Sequence, residues 1–475
     1  MLLVTVLLAH LLGLLSAPHA LMSSRTSQGA IAWIVSLIAF PYLAVPAYWT
    51  FGRPRFEGYV SARRGEDSNL RRALEGTEAL VTPFRARIPE TRGGITAVER
   101  LARMPVLRGN ETALLIDGEA VFASMLEGIQ RAQRYLLVQF YTVRDDAVGR
   151  RFQEALIRKA HEGVKVHFLY DRIGSRGLPG EFTRRLEREG VEVEGFLSST
   201  TWIRKRFRPR IQVNFRNHRK VLVVDGEEAW LGGLNLSEAY LGLDTKVGPW
   251  RDTHLRLKGP AALGAQLSFL EDWHWSAEHV LELDWTPRPA EGADEAVLIL
   301  SSGPADPAET ANLMIHHAIH AAAERIWIAT PYFVPDQGLL GALELAGYRG
   351  VDVRILIPQH ADVPLVHLAK YAALEPLLDA GVHILHYTEG FMHTKAFLVD
   401  DRAAGVGTVN LDNRSLRLNF EITALLMDRA AVGRVERMFE EDFRRAVPFT
   451  AEELAGRSFA ARAAARAAYL LAPML

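Results

Sequence analysis

A nineteen-residue pattern occurs twice in this chain and constrains its fold more than any other feature. The copies are NHRKVLVVDGEEAWLGGLN, residues 217–235, and MHTKAFLVDDRAAGVGTVN, residues 392–410. In each copy a Lys follows the His by two residues, an Asp by seven, a Gly by fourteen and an Asn by seventeen. Two chance matches to the His, Lys and Asp spacing are expected in roughly one such chain in ten thousand. The pair therefore predicts an internal repeat.

Lysine is rare in this chain, yet both copies keep it. The sequence has 8 Lys against 47 Arg, and two of the lysines are Lys220 and Lys395. An ammonium is a compact charge and a guanidinium is a planar fork, so this choice indicates a site shaped for a point charge. The apolar run after each Lys predicts a buried strand, with His and Lys on the same face because one residue separates them.

The stretches before the two copies share one order of elements. Strand-like apolar runs alternate with stretches of helical periodicity from about residue 112 to 258, and again from 297 to the second copy. The predicted helices include residues 119–132, 147–160, 311–323 and 338–346. This alternation predicts two tandem α/β domains, related by a pseudo-twofold axis that brings the two motif histidines together.

The doubled pattern resembles the phospholipase D superfamily, and further stretches are similar to bacterial cardiolipin synthases. These stretches are SGP at 302–304, TPYFVPD at 330–336 and GTVNLDNRSLRLNFEI at 407–422, together with the N-terminal apolar segments. The resemblance covers nearly the whole chain and implies two phospholipase D-like domains, each a mixed sheet flanked by helices. The first copy departs from the pattern, since Gly232-Gly233 stands where many members have Gly followed by Ser or Thr.

The expected organisation has five parts. Residues 1–52 form two transmembrane helices, 53–110 a cytoplasmic linker, 111–290 and 291–447 the two phospholipase D-like domains, and 448–475 an amphipathic tail. The tail carries three arginines before an apolar end, and as a helix it would either lie at a membrane interface or pack on the domain.

The N-terminal segments predict a membrane hairpin. The first, Leu2 to Ala17, reaches the roughly 30 Å of a hydrocarbon core only if its helix continues to about Met22, whereas residues 30–51 are long enough by themselves. A cleaved signal peptide is the alternative for the first segment, opposed by the absence of a basic residue before it. The positive-inside rule places the large domains in the cytoplasm, because arginines follow the hairpin at 53, 55, 63, 64, 71 and 72.

Charge gives a local signal only. The net charge of −1 provides no general case for a nucleic-acid partner. Residues 202–210 crowd five basic side chains beside Trp202 and Phe207. A solvated loop, a contact with anionic lipid and a nucleic-acid groove are the alternatives for this stretch, and the membrane hairpin disfavours the last.

The doubled His, Lys and Asn supply what phosphodiester transfer needs. One neutral imidazole attacks phosphorus, the other protonates the leaving oxygen, and lysines and asparagines hold the non-bridging oxygens. The candidate catalytic residues are His218, Lys220, Asp225, His393, Lys395 and Asp400, supported by Asn235, Asn410, Glu421 and Asp252. We expect the two motif aspartates to be structural at the strand-end turns.

We expect no metal or other cofactor. The paired motifs already supply the cationic charge, and the chain has no Cys to provide a thiolate ligand or nucleophile. His316 and His320 have the spacing of a helical metal pair, but without a partner carboxylate motif we interpret them as ordinary histidines.

The resemblance also implies roles for the two imidazoles. Each ring needs an acceptor on its second nitrogen. Glu421 is expected beside His393, and Asp252 beside His218. His218 is expected to be the nucleophile and His393 the acid and later the base, because a carboxylate beside His393 would keep that ring protonated.

The expected function is a membrane-bound phosphatidyltransferase at a bacterial inner membrane. It would make cardiolipin from two phosphatidylglycerol molecules, releasing glycerol, through a phosphohistidine. The alternatives are a phospholipase D-type hydrolase, a transferase that uses phosphatidylethanolamine as co-substrate, and a nucleic-acid phosphodiesterase. A lipid-binding protein with inactive motifs is disfavoured by the intact His and Lys. The oligomeric state stays open.

Overall fold

One sheet runs through both repeats of the chain. A computed structural model describes residues 2–24, 26–52, 68–88, 94–196, 214–242 and 248–474. The strand Leu107–Ile116 of the first repeat pairs antiparallel with Glu295–Ser302 of the second. Outward from this pair the corresponding strands of the two repeats follow in the same order. The pseudo-twofold relation predicted from the motifs is therefore confirmed.

Each half of the sheet is mixed, with antiparallel pairs near the centre and three parallel strands further out. The first half contains Leu107–Ile116, Thr253–Lys258, Glu228–Gly232, Val221–Val224, Tyr135–Phe140, Lys165–Asp171 and Glu192–Phe196, in spatial order. The second contains Glu295–Ser302, Asn419–Leu426, Ala403–Gly407, Ala396–Val399, Arg325–Ala329, Asp352–Pro358, His383–Tyr387 and Ala446–Phe449.

The predicted helices are present with small shifts at their ends. They span Asp117–Arg131, Ala147–His161, Thr310–Ala321 and Gln337–Tyr348. The helix Gly180–Arg188 follows the strand Lys165–Asp171. The structure adds Ala262–Ala277, Pro364–Asp379 and Arg429–Arg444, with shorter helices at Ser68–Ala73, Thr77–Val81, Gly94–Ala102 and Ala451–Ala455.

The two repeats share a core. Its buried apolar side chains come from both halves of the sheet, as Leu231 and Ile422 illustrate, and from the helices Ala262–Ala277 and Arg429–Arg444. Separate clusters lie beneath the outer helices of each repeat. Because a continuous core joins them, the repeats hold each other in one fixed geometry.

The motif aspartates occupy the turns at the ends of the motif strands. Both adopt left-handed backbone conformations, with φ of 55° at Asp225 and 51° at Asp400. Asp225 accepts hydrogen bonds from the backbone N–H groups of residues 133–135. Asp400 accepts them from residues 323–325. These contacts tie each motif strand to the start of its neighbouring strand, as expected for structural residues.

The N-terminal segment differs from its prediction in one respect. The helix Leu2–Ser23 continues far enough to cross a membrane by length and composition, and among the described residues only this helix meets that criterion. The second apolar segment does not form one helix. It divides into Ser27–Ala39 and Pro41–Phe51, because a proline disfavours helical geometry at the residue before it, here Phe40 with φ −135°. The continuous helix expected over 30–51 is therefore wrong.

These three helices nevertheless pack together. Ala20 of the first, Leu37 of the second, and Ala44 and Tyr48 of the third are buried in one small cluster. The first apolar helix thus has packing partners within the chain. Residues 53–67, with four of the arginines used for the topology prediction, lie outside the described residues. So does the basic stretch 202–210, for which a solvated loop, a lipid contact and a nucleic-acid groove were the alternatives.

The C-terminal tail packs on the second repeat. Its helix Phe459–Tyr469 lies against Pro364–Asp379, and Ala468 is buried with Ala369. The Arg457 guanidinium stacks 3.7 Å from the centroid of the Tyr371 ring. Of the two predicted placements of the tail, packing on the domain is the one observed.

Replacing Asp400 with Ala should destabilise the protein rather than act on the chemistry alone. Three backbone N–H groups would lose a charged acceptor and an alanine would enter a left-handed turn, so the free energy of unfolding should fall by about 2–4 kcal/mol. Thermal unfolding checks this, with Asp401→Ala as the control because that side chain is 56% exposed. A stable but inactive Asp400→Ala protein would contradict the structural role.

Candidate active site

The strand before the first motif histidine pairs with the other repeat. Arg216–Asn217 runs parallel to Asn419–Phe420. The backbone N–H of His218 then donates to the carbonyl of Phe420 at 2.9 Å. Glu421 is the next residue of that strand, and its Oε2 lies 2.9 Å from His218 Nδ1. The strand pair therefore delivers the imidazole to a carboxylate of the opposite repeat.

The second motif histidine is placed by the same arrangement in the opposite direction. Phe391–Met392 runs parallel to Trp250–Arg251 of the first repeat. The N–H of His393 donates to the carbonyl of Arg251 at 2.7 Å. Asp252 follows, and its Oδ2 lies 2.7 Å from His393 Nδ1. Each imidazole thus has a carboxylate on Nδ1, which leaves Nε2 for chemistry.

The predicted pairing of Glu421 with His393 and of Asp252 with His218 is wrong. Both carboxylates do orient a motif imidazole, but each orients the one from the other repeat. Position along the chain suggests a partner in the same repeat. The twofold relation instead pairs the strand before each His with the residues that immediately precede the carboxylate in the other repeat.

The two motifs form a single buried site. His218, Lys220, His393 and Lys395 are each less than a tenth exposed. Burial lowers the pKa of His393 well below its usual value, and the charges of both lysines and of His218 add to that effect. Charges of the first motif thus act on the imidazole of the second. The structure therefore brings the two His and the two Lys of the motifs together, as the sequence predicted.

The lysines are fixed through their own motif backbones. Lys220 Nζ donates to the carbonyl of His218 at 2.6 Å, and Lys395 Nζ donates to that of His393. An ammonium has three N–H donors, so others can reach phosphoryl oxygens. Burial lowers the pKa of Lys220 strongly and that of Lys395 to about 8, which makes both charges sensitive to a nearby anion.

The two carboxylates differ in ionisation. Burial tends to raise the pKa of Glu421, but His218 and Lys220 outweigh it, and the pKa lies below its usual value. Burial raises the pKa of Asp252 to about 6, against the opposing charge of Lys395. The site is therefore electrostatically unequal, with the more firmly ionised carboxylate on His218.

Gly233 of the first copy leaves space for the side chain of Asp252, which is shorter than that of its counterpart Glu421. A Cβ added at Gly233 would lie 2.0 Å from Asp252 Oδ1. The corresponding residue of the second copy is Thr408, whose Oγ1 accepts from the backbone N–H of Ile422 at 2.9 Å. The departure from the family pattern at Gly233 thus accompanies the replacement of a glutamate by Asp252.

The motif asparagines occupy different surroundings. Asn235 accepts from the N–H of Thr142 at 3.0 Å and donates to the Tyr240 hydroxyl at 2.8 Å, so both ends of its amide brace the site. Asn410 is buried, and within the described part of the chain its Oδ1 has no hydrogen-bond partner. Phosphoryl binding by Asn235 and Asn410 stays a prediction.

Aromatic side chains surround the imidazoles, and motif spacing did not reveal them. Trp250 lies 5.1 Å and Tyr332 6.2 Å from His393 between ring centroids, while Tyr141 lies 5.0 Å from His218. The stretch TPYFVPD, which includes Tyr332, was the only signal in the sequence for this wall. The Tyr332 hydroxyl also bonds Asp362 at 2.9 Å.

Comparison with known proteins decides the family. A family model described as "Cardiolipin synthase, PLD-like domain" matches residues 125–247 and 315–443, which include both motif copies. Cardiolipin synthase A of Pseudomonas entomophila (strain L48) is 43% identical over 98% of this chain and 97% of its own length. The chain belongs to the cardiolipin synthase family.

Other comparisons agree with this placement. Cardiolipin synthase A of Pseudomonas aeruginosa (strain PAO1) is 43% identical over 98% of this chain and 94% of its own length. Among solved structures, phosphatidylserine synthase of Haemophilus influenzae Rd KW20 has a TM-score of 0.62 at 17% identity, over 81% of this chain and 100% of that chain. The last likeness confirms the predicted phospholipase D-like fold.

For a cardiolipin synthase family member with this site, kcat/KM should depend on pH at two points. Ionised Asp252 stabilises the charge of protonated His393, so the rate should fall as pH drops through about 6 and that carboxylate is neutralised. Lys395 is cationic only below its pKa, so the rate should also fall as pH rises through about 8. A pH profile of kcat/KM checks both limbs, and a profile flat through both values would contradict this electrostatic arrangement.

Gly233→Ala should reduce turnover by about 10- to 100-fold, the size of effect seen when a group that orients a reacting residue is displaced. The added methyl would push Asp252 away from His393. Gly341→Ala is the matched control, because nothing lies within 4 Å of its Cβ position. Full activity of Gly233→Ala would show that Asp252 is not needed in its observed place.

Proposed function

We propose that this protein is a membrane-bound phosphatidyltransferase that converts two molecules of phosphatidylglycerol into cardiolipin and glycerol. One observation carries the proposal. Two buried imidazoles, each held at Nδ1 by a carboxylate of the opposite repeat, share a site with two buried lysines. This arrangement contains a nucleophile, an acid and cationic groups for the phosphoryl oxygens, and membership of the cardiolipin synthase family identifies the substrate class.

The first half-reaction makes a covalent intermediate. His218 Nε2 attacks the phosphorus of a bound phosphatidylglycerol, the bond from phosphorus to the headgroup oxygen breaks, and His393 donates its Nε2 proton to that oxygen. Glycerol leaves, and phosphatidyl-His218 remains. Burial, together with the charges of neighbouring cations, lowers the pKa of His393 before substrate binds. An anionic phosphodiester opposes that effect, so the ring gains its proton as substrate arrives.

The unequal carboxylates support His218 as the nucleophile. The phosphorylated ring carries positive charge until the second half-reaction, and the ionised Glu421 stabilises that charge. His393 must instead give its proton away, which is easier beside the less firmly ionised Asp252. The roles predicted from the resemblance are retained, but the argument that placed Glu421 beside His393 is replaced.

The second half-reaction returns the enzyme to its starting state. The headgroup hydroxyl of another phosphatidylglycerol attacks phosphorus, His393 Nε2 takes the hydroxyl proton, and the bond from phosphorus to His218 breaks. Cardiolipin is released. The aromatic wall around His393 favours a lipid hydroxyl over water as the acceptor, because it makes the site less hydrated.

The enzyme would act at a bacterial inner membrane with its catalytic domains in the cytoplasm. The helix Leu2–Ser23 is long enough to span, and the two shorter apolar helices pack on it. Together they would return the chain to its starting side, where the arginines after residue 52 are retained. We therefore propose a multi-pass topology with both termini cytoplasmic.

A reporter that is active only in the cytoplasm, fused after Leu475, tests this topology. It should be active, and a reporter that requires export should be inactive at the same position. The opposite result would place the catalytic domains outside and would contradict the return of the chain across the membrane by the helices Ser27–Ala39 and Pro41–Phe51.

The activity itself is tested by lipid analysis after incubation of purified protein with phosphatidylglycerol, with and without phosphatidylethanolamine. Cardiolipin and glycerol should form from phosphatidylglycerol alone. His218→Ala and His393→Ala should each lower the rate by about a thousandfold or more, and the double variant should be little worse, because the residues act as a unit. Phosphatidic acid as the main product would indicate the hydrolase, and a requirement for phosphatidylethanolamine would indicate the other transferase.

Trapping the intermediate distinguishes the two imidazoles. Lipid labelled in its phosphate, quenched and digested for mass spectrometry, should leave label on the peptide that contains His218. His393→Ala should accumulate that adduct if an activated leaving group bypasses the need for an acid. Label on His393 would reverse the roles and leave the transferase proposal standing.

A further inference from the structure

A second charged cavity lies beside the segment that carries Asp252. Its volume is about 390 Å³, and it opens between the first repeat and the helix Arg429–Arg444. Among the described residues that line it there are no members of the two motifs. The charged lining consists of the guanidinium groups of Arg251, Arg434, Arg437 and Arg445 and the carboxylates of Asp117 and Glu441.

Two of these arginines are held in place by acids that do not line the cavity. Arg251 makes hydrogen bonds of 2.7 and 3.1 Å to Asp442, and Arg434 makes one of 2.7 Å to Glu295. Each guanidinium is therefore fixed before any ligand arrives and loses little freedom on binding. Such preorganised planar donors are suited to bidentate recognition of phosphate.

Arg437 differs from the other three. It is exposed on the helix Arg429–Arg444, and it makes no ion pair or side-chain hydrogen bond to any residue in the described part of the chain. Its charge is thus available at the rim of a cavity whose lining has four cationic and two anionic groups. An anion entering the cavity would gain a partner without breaking an ion pair of Arg437.

The cavity wall is connected to the carboxylate that orients His393. Asp117 lines the cavity in a left-handed conformation, with φ of 61°. Its Oδ1 accepts from the backbone N–H of Asp252 at 3.1 Å and from Arg251 Nη1 at 3.3 Å. Its own N–H donates to the carbonyl of Asp252 at 2.9 Å. The carbonyl of Arg251 in turn accepts a hydrogen bond from the N–H of His393.

We propose that this cavity binds a phosphate-bearing anion, and that binding slows turnover by loosening the hold of Asp117 on Asp252. A phosphate group at Arg251 competes with Asp117 for the same guanidinium. The volume lies within the range of small-molecule sites, which is roughly 300–1,000 Å³. The phosphate could belong to a soluble compound or to the headgroup of an anionic lipid. Only the effect on turnover rests on the proposed function; binding does not.

Hydrogen exchange on the full-length protein in phosphatidylcholine nanodiscs tests binding and locates it. Inorganic pyrophosphate should slow exchange at amides of Arg429–Arg444 in the wild type, whereas the amide of Asp252, released from Asp117, should exchange faster. In Arg437→Gln the concentration needed should rise by about tenfold, corresponding to one lost ionic contact. Arg429→Gln is the matched control, since that residue is on the same helix, 88% exposed and outside the cavity lining.

A parallel sample identifies the source of the phosphate. Nanodiscs that contain phosphatidic acid, with no soluble phosphate, present the same group on a lipid. Protection of the helix by pyrophosphate alone assigns a soluble ligand, and protection by phosphatidic acid alone assigns a headgroup. Protection by neither, or equal protection in Arg437→Gln, overturns the site.

Turnover of phosphatidylglycerol tests the connection to His393. Saturating pyrophosphate should lower kcat by about fivefold in the wild type and in Arg429→Gln, a typical size for coupling between two sites. Arg437→Gln should require a correspondingly higher concentration. Binding without any change in kcat would overturn the link through Asp117. If the protein did not turn over phosphatidylglycerol at all, hydrogen exchange would still decide whether the site exists.

Discussion

Two short parallel strand pairs between the repeats determine the rest of the active site. Each pair is only two residues long, yet each fixes a motif histidine beside a carboxylate from the opposite repeat. Neither repeat could orient its own imidazole without the other. The shared core makes this exchange possible, because a fixed relation between the repeats is needed to hold hydrogen bonds of 2.7 to 2.9 Å across the boundary. Duplication of the motif therefore provides mutual positioning as well as a second imidazole.

The twofold relation is only approximate at the active site, because the residues beside the two imidazoles differ. Glu421 and Thr408 stand on one side, and Asp252 and Gly233 on the other. The two motifs also differ between His and Lys. Arg219 is fully buried and donates to the carbonyl of Glu421 at 3.1 Å, whereas its counterpart Thr394 bonds Thr253. Burial acts on both carboxylates, and the balance of nearby charge leaves Glu421 the more acidic. Such inequality suits the proposed mechanism, in which one imidazole would hold the phosphoryl group while the other would move protons.

Local pattern in the sequence predicted the repeats, their helices and strands, and the residues of the shared site. Those features follow from periodicity and spacing, which neighbouring residues determine. The partner of each imidazole could not be predicted in this way, because it depends on which strands meet across the pseudo-twofold axis. Composition suggested a continuous helix over residues 30–51, but the effect of Pro41 on Phe40 divided it. The positions of Arg251 and Arg437 around one cavity carried no signal in the sequence, since they come from elements far apart in the chain.

The exchanged pairing is tested most directly by the protonation of the two imidazoles. Nitrogen-labelled histidine signals, assigned by their loss in His218→Ala and His393→Ala, can be followed with pH in a Glu421→Gln protein. Burial lowers the pKa of His218 and Glu421 opposes that effect, so replacement of Glu421 should lower the midpoint of His218 further. The midpoint of His393, paired with Asp252, should change much less. A shift confined to His393 would mean that Glu421 orients the histidine of its own repeat, which would contradict the exchanged pairing.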